Sequence, residues 1–418
     1  MLVAVTLLAS CSADVRRTGV GISSRPLDLA VEQNLDEIFS EVDYLFRGDL
    51  AAAGSSGDLR VAWPLVDALR FHEGQTKAPE LLRALTRLTE LEVPDREVAW
   101  VEYTNELLRR DVFAPPGYFR WKRAMFVGFH ERWAPFFDER AEIDWRHVTW
   151  GGVLRDAISA LVDPPVVDGR DGAWLPDDDI VFAVEIGSQT RAYPKRVMET
   201  HELVNDSIGG RRIALSYCTL CGSVVANFVD DVKGRALELR TSGLLRRSNK
   251  LMYDVQTESL FDQFSGKAVT GPMREAGVTL DRAPVSIARW GEWRRAHPET
   301  TITAEEIGGR AYGPDPLEGR DAQGPIFPVG HIDGRLPRMT EVYGVVTPEG
   351  TAVAFPMEEA HRWLRTGKKI AAFGVELRLR AGGLAARSDR SPESLIGQRA
   401  FWFAWSQFHP RSMIWHPA

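Results

Sequence analysis

The chain has 418 residues, of which 44% are hydrophobic and 26% are charged, and its formal net charge is -7. This length predicts two or three domains with their own cores, and the mild acidity argues against nucleic acid as a partner. The sequence contains no P-loop, no G-x-G-x-x-G after a strand, no H-E-x-x-H and no G-x-S-x-G. The common nucleotide-binding, zinc-protease and serine-hydrolase motifs are therefore absent from the sequence.

The N-terminus carries a motif typical of bacterial lipoproteins. Residues 2–8 are apolar apart from Thr6, and Leu8-Ala-Ser-Cys11 matches a lipobox, in which a signal peptidase cuts before the cysteine and a lipid is attached to it. The apolar run is too short to span a bilayer as a stable helix. We therefore expect a signal peptide over residues 1–10 and a lipidated tether over residues 11–28.

This motif also predicts a location and a membrane partner. A lipid on Cys11 would anchor the protein to a membrane in the cell envelope, on its periplasmic or extracytoplasmic face, where oxidising conditions favour disulfides. No Lys or Arg precedes the apolar run, although signal peptides normally have one, and a start codon chosen too far downstream would explain that. The alternative is an apolar N-terminus without a targeting role.

The segment from residue 29 to about residue 108 has the period of helices with one buried face. Ala114-Pro-Pro-Gly117 interrupts the pattern, and the aromatic run from Tyr118 to Phe137 then predicts a helix packed against the next domain. We predict a helical domain over residues 29–144, with HEAT-like hairpins, an aromatic helix and a surface that could dock a protein partner. The predicted apolar faces contain Leu35, Ile38, Phe39, Val42, Leu45, Phe46, Val61, Leu65, Leu69, Leu81, Leu82, Leu85 and Leu88.

After Trp150-Gly-Gly152 the pattern changes to short strands separated by turn residues. The run Ile180-Val-Phe-Ala-Val-Glu-Ile186 is typical of a buried strand, and turn residues recur at short spacing from there to the C-terminus. The predicted fold class is α+β, with an N-terminal α-helical domain followed by a mainly antiparallel β domain of two related modules over residues 145–416.

The two modules are predicted from an internal repeat. Val181-Phe-Ala-Val184 has a counterpart in Val342-Tyr-Gly-Val345, and the run that begins Trp293-Arg-Arg-Ala-His-Pro is echoed from Trp405 as Trp-Ser-Gln-Phe-His-Pro. Copy one is expected over about residues 180–300 and copy two over about 340–412. Copy two has no cysteine, so we expect the chemistry in copy one. Because His297-Pro and His409-Pro occur in both copies, they suggest a structural turn.

Cys218 and Cys221 are the strongest candidates for chemistry. Their C-x-x-C spacing brings two sulfurs close enough to form a disulfide or to share a metal ion. Strand-forming residues lie on both sides, which predicts a strand–turn–strand with the cysteines at the turn. Gly222 suits such a turn because glycine accepts a positive φ.

Three functions remain open for this pair. In the first, one cysteine is the nucleophile and the other the resolving thiol, with His201 tuning the thiolate, in a thiol–disulfide redox protein that needs no cofactor. In the second, Cys218, Cys221 and His201 bind Zn, Cu or Fe. The third is a non-enzymatic scaffold in which the two cysteines form a structural disulfide.

The motifs together resemble the bacterial DUF3179 family, a domain of unknown function. The resemblance covers about residues 145–416, with one departure, since Asp156-Ala-Ile-Ser159 stands where the family tends to have Asp-Gly-Ile-Pro. Selenocysteine variants are associated with the family's cysteine motif, which implies redox chemistry rather than a purely structural metal. The motifs that carry the resemblance are Trp150-Gly-Gly152, Ala192-Tyr-Pro194, His201-Glu-Leu-Val-Asn-Asp206, Ser216-Tyr-Cys-Thr-Leu-Cys-Gly222, Ser242-Gly-Leu-Leu-Arg-Arg-Ser-Asn249, Leu251-Met-Tyr-Asp254, Thr257-Glu-Ser259, Gln263-Phe-Ser-Gly266, His297-Pro298 and Phe408-His-Pro410.

Polar residues of these motifs are further candidates. Arg246 and its neighbour Arg247 could stabilise a thiolate or bind an anionic cofactor, and Asn249, Tyr253 and Asp254 could line its pocket. The alternatives are exposed cations for the arginines and a pinned loop for the other three. His201-Glu202 and Asn205-Asp206 could supply a base or a ligand, or simply mark a helix end followed by a turn.

Overall fold

The computed structural model describes residues 21–40, 48–141 and 143–417. The predicted signal peptide, the lipidation site Cys11 and three residues of the first predicted helical face (Val42, Leu45 and Phe46) lie outside this part of the chain. No helix within the described residues is long and apolar enough to cross a membrane.

The N-terminal region is helical, as predicted. Asp28 and Asp49 accept backbone N–H groups at the starts of the first two helices, and Gly117, with φ at +85°, opens the aromatic helix. In the fourth helix Leu81, Leu85 and Leu88 share the buried face. The helices are α1 Leu29–Ile38, α2 Leu50–Gly54, α3 Ala62–His72, α4 Ala78–Thr89, α5 Ala99–Arg109 and α6 Tyr118–Phe129.

The rest of the chain forms mostly antiparallel β-sheets with short helices, so the predicted α+β class is confirmed. The elements in chain order are β1 Val148–Trp150, β2 Leu161–Val162, β3 Val166–Asp168, β4 Ile180–Ile186, β5 Gln189–Pro194, α7 Lys195–His201, β6 Leu203–Ile208, β7 Arg211–Cys218, β8 Ser223–Phe228, β9 Leu239–Arg246, β10 Asn249–Asp254, β11 Leu260–Asp262, α8 Gly271–Glu275, β12 Arg282–Ala283, β13 Val285–Arg289, α9 Trp290–Ala296, β14 Thr301–Thr303, β15 Glu306–Ile307, β16 Arg310–Ala311, β17 Glu341–Val346, β18 Ala352–Pro356, α10 Met357–Arg365, β19 Ile370–Ala372, β20 Val375–Arg380, β21 Gly383–Ser388, β22 Ser394–Leu395, β23 Gly397–Phe401, α11 Trp402–Phe408 and β24 Met413–Ile414.

Two four-stranded units of the β region share one topology. Their strand orders are β13-β4-β5-β14 and β23-β17-β18-β24. In each unit the first two pairings are antiparallel and the last is parallel. In the two units a helix, α7 or α10, directly follows β5 or β18. A tryptophan-rich helix, α9 or α11, directly precedes β14 or β24. The second unit joins the hairpin of β7 and β8, whose turn carries the two cysteines, in one nine-stranded sheet through the pairing of β8 with β23.

The His-Pro turns have the same packing in both units. The indole of Trp293 donates to Thr300 at 3.1 Å, and the indole of Trp405 donates to Ser412 at 2.8 Å. The ring of His297 lies 4.1 Å from that of Trp293, and the corresponding distance for His409 and Trp405 is 4.2 Å. Both histidines therefore close a structural turn against a buried tryptophan, as their repetition in the sequence suggested.

The helical region and the sheet β1-β9-β10-β11 share one hydrophobic core. Phe136 packs against Tyr253 with ring centroids 5.2 Å apart, and the indole of Trp133 donates to the carbonyl of Ser242 at 2.8 Å. The predicted packing of the aromatic run against the next domain is thus confirmed. This contact holds β9 and β10 in place, and those strands form one wall of the candidate site.

Candidate functional site

The cysteines lie at the turn between β7 and β8, as the strand–turn–strand prediction required. Cys218 ends β7 and faces Ser223 at the start of β8, while the N–H of Cys221 donates to the Cys218 carbonyl at 3.2 Å. Gly222 has φ at +59°, and a Cβ there would lie 3.0 Å from the ring of Phe401. Glycine is therefore needed at this position for its backbone conformation and for space.

Both sulfurs are buried and point at one carbonyl group. The two residues are free thiols, with Cys218 2% exposed and Cys221 fully buried. The carbonyl oxygen of Ser248 lies 3.1 Å from the Cys221 sulfur and 3.8 Å from the Cys218 sulfur. The Cys221 thiol is also within hydrogen-bonding reach of the Cys218 sulfur. The sulfur atoms of Cys218 and Cys221 are therefore neighbours, and a disulfide would join them directly.

A second hairpin supplies that carbonyl. Arg247 and Ser248 form the two-residue turn between β9 and β10, with φ at +52° and +63°. Two positive φ angles are typical of a type I′ turn, which matches the twist of the flanking strands. The Ser248 hydroxyl donates to the Pro328 carbonyl at 3.1 Å and fixes the turn against the loop that follows β16.

A buried ion pair stands beside Cys218. Lys250 on β10 is 5% exposed and lies 2.5 Å from the carboxylate of Glu202, whose side chain is 12% exposed. The ammonium also donates to the carbonyls of Glu202 and Tyr217, at 3.3 and 3.2 Å. Thr219 donates to Glu202 at 2.7 Å. The pair therefore ties the end of α7, strand β10 and the cysteine turn together.

Cys218 opens onto a cavity of about 250 Å³, whereas Cys221 lies behind it and does not line the cavity. A bulge in β9 shapes one side of the cavity. Lys250 pairs with Leu245 but Met252 pairs with Thr241, and Gly243, with φ at +80°, lies in the bulge between them. A Cβ on Gly243 would lie 2.3 Å from the Val153 carbonyl oxygen. Lys250, Glu202 and Thr219 lie beside Cys218, and the apolar walls are formed by Val153, Ile158, Leu220, Leu244, Leu245 and Leu317.

The electrostatics of the pair differ between the two thiols. Burial alone would raise the pKa of Cys218, but the hydrogen bond from the Cys221 thiol and the nearby Lys250 charge outweigh it, against an opposing effect of Glu202, so this pKa lies below its ordinary value. Burial raises the pKa of Cys221 well above its ordinary value, and the neighbouring Cys218 sulfur raises it further. Cys218 is therefore the thiol that ionises first.

Residues 155–391 match a family described as "Protein of unknown function (DUF3179)", and this match covers more than half of the chain. The chain belongs to the DUF3179 family. The predicted resemblance is confirmed, over a shorter range than the expected residues 145–416. Comparisons with curated proteins and with solved structures found no match.

In this DUF3179 chain the predicted site residue His201 is turned away from the thiols. Its Nδ1 lies 2.8 Å from the Ser159 carbonyl, and its Nε2 lies 2.7 Å from the hydroxyl of Tyr312. Glu202, the next residue, has φ at +57° and ends α7, so it points to Lys250 instead. Within the described residues no group of three His, Cys, Asp or Glu side chains is arranged to hold a metal ion. The donors predicted for Zn, Cu or Fe are thus not assembled.

The other predicted residues of the DUF3179 motifs make internal contacts. Arg246 pairs with the buried carboxylate of Asp262 at 2.7 Å, and the guanidinium of Arg247 donates to the Gln407 carbonyl. Tyr253 donates to Asp156 at 2.6 Å, where Asp156 begins the segment in which the sequence departs from the family pattern.

Asp254 and Asn249 are equally engaged in the fold. Asp254 accepts from both the N–H and the hydroxyl of Thr257 at 2.8 Å, which is the pinned loop expected as the alternative. Asn249 contacts the hydroxyl of Ser223, the first residue of β8 after the cysteine turn, at 3.0 Å. Asp206 accepts from Arg191 and Tyr193 at 2.7 and 2.8 Å, inside copy one.

Lys250 is the site residue that the sequence analysis missed. The only signal was a lysine inside the strand-forming run Asn249–Asp254, all of which is buried. A charged residue in a fully buried strand needs a partner, and that requirement would have singled it out.

Proposed function

We propose that the protein is a thiol–disulfide redox protein whose working groups are Cys218 and Cys221. The observation that carries the proposal is the position of the two sulfurs, which approach the same Ser248 carbonyl while only Cys218 lines the cavity. One thiol is thus placed to react with an incoming group, and the other is placed to attack the first. No cofactor is required for this chemistry.

The roles of the two cysteines follow from their environments. Cys218 ionises first and lines the cavity, so it is the nucleophile. Cys221 is the resolving thiol, because it is enclosed and its pKa is raised. Lys250 supports the thiolate by charge. His201 contacts Ser159 and Tyr312, so in this proposal it supports the loop that follows β16 rather than the thiolate.

The proposal is tested by thiol titration, redox potential and metal content on one sample purified without chelator. With Cys11 lipidated or replaced by Ser, we expect two titratable thiols after reduction, none after mild oxidation, and a redox potential close to that of the surrounding compartment. A potential far below that poise would instead indicate a structural disulfide in a scaffold. Stoichiometric metal that is lost in Cys218→Ser would favour the metal-binding hypothesis. Two slowly reacting thiols without metal would exclude both redox and metal functions.

We also propose that the protein is anchored in the cell envelope through a lipid on Cys11, which the lipobox supports. Acyl chains contribute about 0.8 kcal/mol per buried CH₂, so diacylated protein should fractionate with membranes. Replacing Cys11 with Ser is expected to release the protein or leave its signal uncut. Wild-type protein that fractionates as soluble, with a mass that shows no lipid, would contradict the anchor.

A further inference from the structure

The surface of the cavity in front of Cys218 is mostly apolar, although two glutamates, a lysine and two threonines also line it. Leu244 and Leu245 on β9, Leu220 from the cysteine turn and Leu317 from the loop after β16 supply its walls. Its volume of about 250 Å³ is that of about eight water molecules in the liquid. It is therefore large enough for a small organic molecule.

The polar groups of the lining are already engaged. Thr241 donates to the Ile158 carbonyl at 2.8 Å, and Thr219 donates to Glu202 at 2.7 Å. All three contacts of the Lys250 ammonium are with Glu202 and Tyr217.

The acidic group at the edge of the cavity is engaged as well. Glu199 pairs with Lys195 at 2.6 Å. Within the described part of the chain, none of the buried side-chain polar atoms that lack a partner belongs to a residue lining this cavity.

This arrangement selects against polar ligands. A charged or strongly hydrated group that entered would lose its water and find no free partner, which is costly. The charged groups of the lining are also paired, because Lys250 faces Glu202, and Glu199 pairs with Lys195, which lies outside the cavity, so neither sign of charge is left without a counter-charge. An alkyl chain, in contrast, gains affinity from each CH₂ that it buries.

We propose that the substrate of the thiol pair is a small apolar disulfide, or its thiol in the reverse direction, bound with its alkyl part against the leucines. This inference rests on the proposed function and adds the substrate class.

The reaction runs in two exchange steps. In the first, the Cys218 thiolate attacks the substrate disulfide R–S–S–R′, forms a Cys218–S–S–R bond and releases R′S⁻, which takes up a proton. In the second, Cys221 loses its proton and attacks the Cys218 sulfur, which releases RSH and leaves the Cys218–Cys221 disulfide. The substrate gains two electrons and the dithiol loses two.

The test compares three disulfides of equal size with reduced, full-length protein. Dipropyl disulfide is apolar, bis(2-hydroxyethyl) disulfide is neutral and polar, and cystamine is cationic. Each second-order rate is measured by acid quench and mass spectrometry. It is then divided by the rate of a small free thiol with the same disulfide, which removes differences in leaving-group reactivity. We expect the normalised rate to be at least about tenfold higher for dipropyl disulfide than for either polar analogue, and to fall by about fourfold per CH₂ removed from the bound chain.

Different results would separate the inference from the proposed function. Equal normalised rates, or a faster reaction with cystamine, would overturn the apolar substrate while leaving the redox function intact. If none of the three disulfides oxidised the pair, the proposed function itself would fail.

A variant pair checks that the selectivity arises in the cavity. Leu317 is half-buried on a loop, so Leu317→Glu should fold. We expect this variant to lower the dipropyl disulfide rate about tenfold and to raise the ratio of the cystamine rate to the dipropyl disulfide rate. Ile326 lies on the same loop, is 41% exposed and does not line the cavity, so Ile326→Glu is the matched control and should change neither rate. Equal effects of the two variants would assign the selectivity to some other part of the surface.

Discussion

Replacing Cys218 with Ser is expected to abolish thiol exchange, whereas replacing Cys221 with Ser should preserve the first step and trap it. In Cys221→Ser the nucleophile and a hydroxyl donor beside it remain, so a mixed disulfide with the attacking reagent accumulates. Both variants also carry Cys11→Ser, so that no third thiol reacts, and in Cys218→Ser the remaining Cys221 thiol is enclosed and has a raised pKa. At neutral pH its alkylation by iodoacetamide should be at least about a hundredfold slower than the alkylation of Cys218 in Cys221→Ser. Intact-protein mass spectrometry follows both reactions.

The pH dependence of these rates gives a second test of the same assignment. Because the pKa of Cys218 is lowered, the alkylation rate of Cys221→Ser should rise with pH around a midpoint that lies below the ordinary cysteine pKa of about 8.5. Circular dichroism of both variants controls for folding. Equal alkylation rates in the two folded variants would contradict the roles given to the thiols. A faster alkylation of Cys218→Ser would reverse those roles.

Replacing Lys250 with Met is expected to lower the free energy of unfolding by about 3 to 5 kcal/mol, because the buried Glu202 carboxylate would lose its ionic partner. The same change should raise the pKa of Cys218, since the Lys250 charge lowers it and the Glu202 charge raises it. The alkylation profile should therefore move to higher pH. Urea unfolding and pH-dependent alkylation measure the two effects.

Two further variants make the Lys250 experiment specific. Adding Glu202→Gln to Lys250→Met removes the unpaired charge and should restore much of the lost stability. Arg362→Met breaks a pair with Glu358 in which both side chains are largely exposed, and it should cost less than about 1 kcal/mol. If Lys250→Met were as mild as Arg362→Met, the ion pair would have no role in holding the site together.

Patterns that depend on neighbours in the chain could be predicted from the sequence. Leu81, Leu85 and Leu88 follow the helical period, and they do lie on one buried face of α4. The cysteine turn was also predictable, because strand formers flank it and Gly222 permits its backbone conformation. The repeated His-Pro segments likewise have equivalent packing, since a local turn and its tryptophan are encoded within a few residues.

The partners of the cysteines could not be predicted, because they come from other elements of the fold. Lys250 belongs to a separate hairpin, and all six residues of its strand are buried, so no alternation of buried and exposed positions assigns its face. His201 was chosen because it is the nearest upstream histidine, but the left-handed Glu202 turns the chain, so the carboxylate and not the imidazole faces the site. Nothing in the local sequence distinguishes these two orientations.

The pairing of β8 with β23 bears on the order in which the site is completed during synthesis. The N–H of Phe401 donates to the Cys221 carbonyl at 2.8 Å, and the Phe401 ring covers Gly222. Nearly all of the C-terminal half of the chain separates these partners, so the ribosome releases β23 long after the cysteine turn. Until then β12 pairs only with Ala226 and Asn227 of β8, so the part of β8 next to the cysteine turn lacks its partner strand, and the Cys221 carbonyl lacks its hydrogen bond from Phe401. Docking of β23 therefore completes the packing around the cysteine turn only after the second β unit has been synthesised.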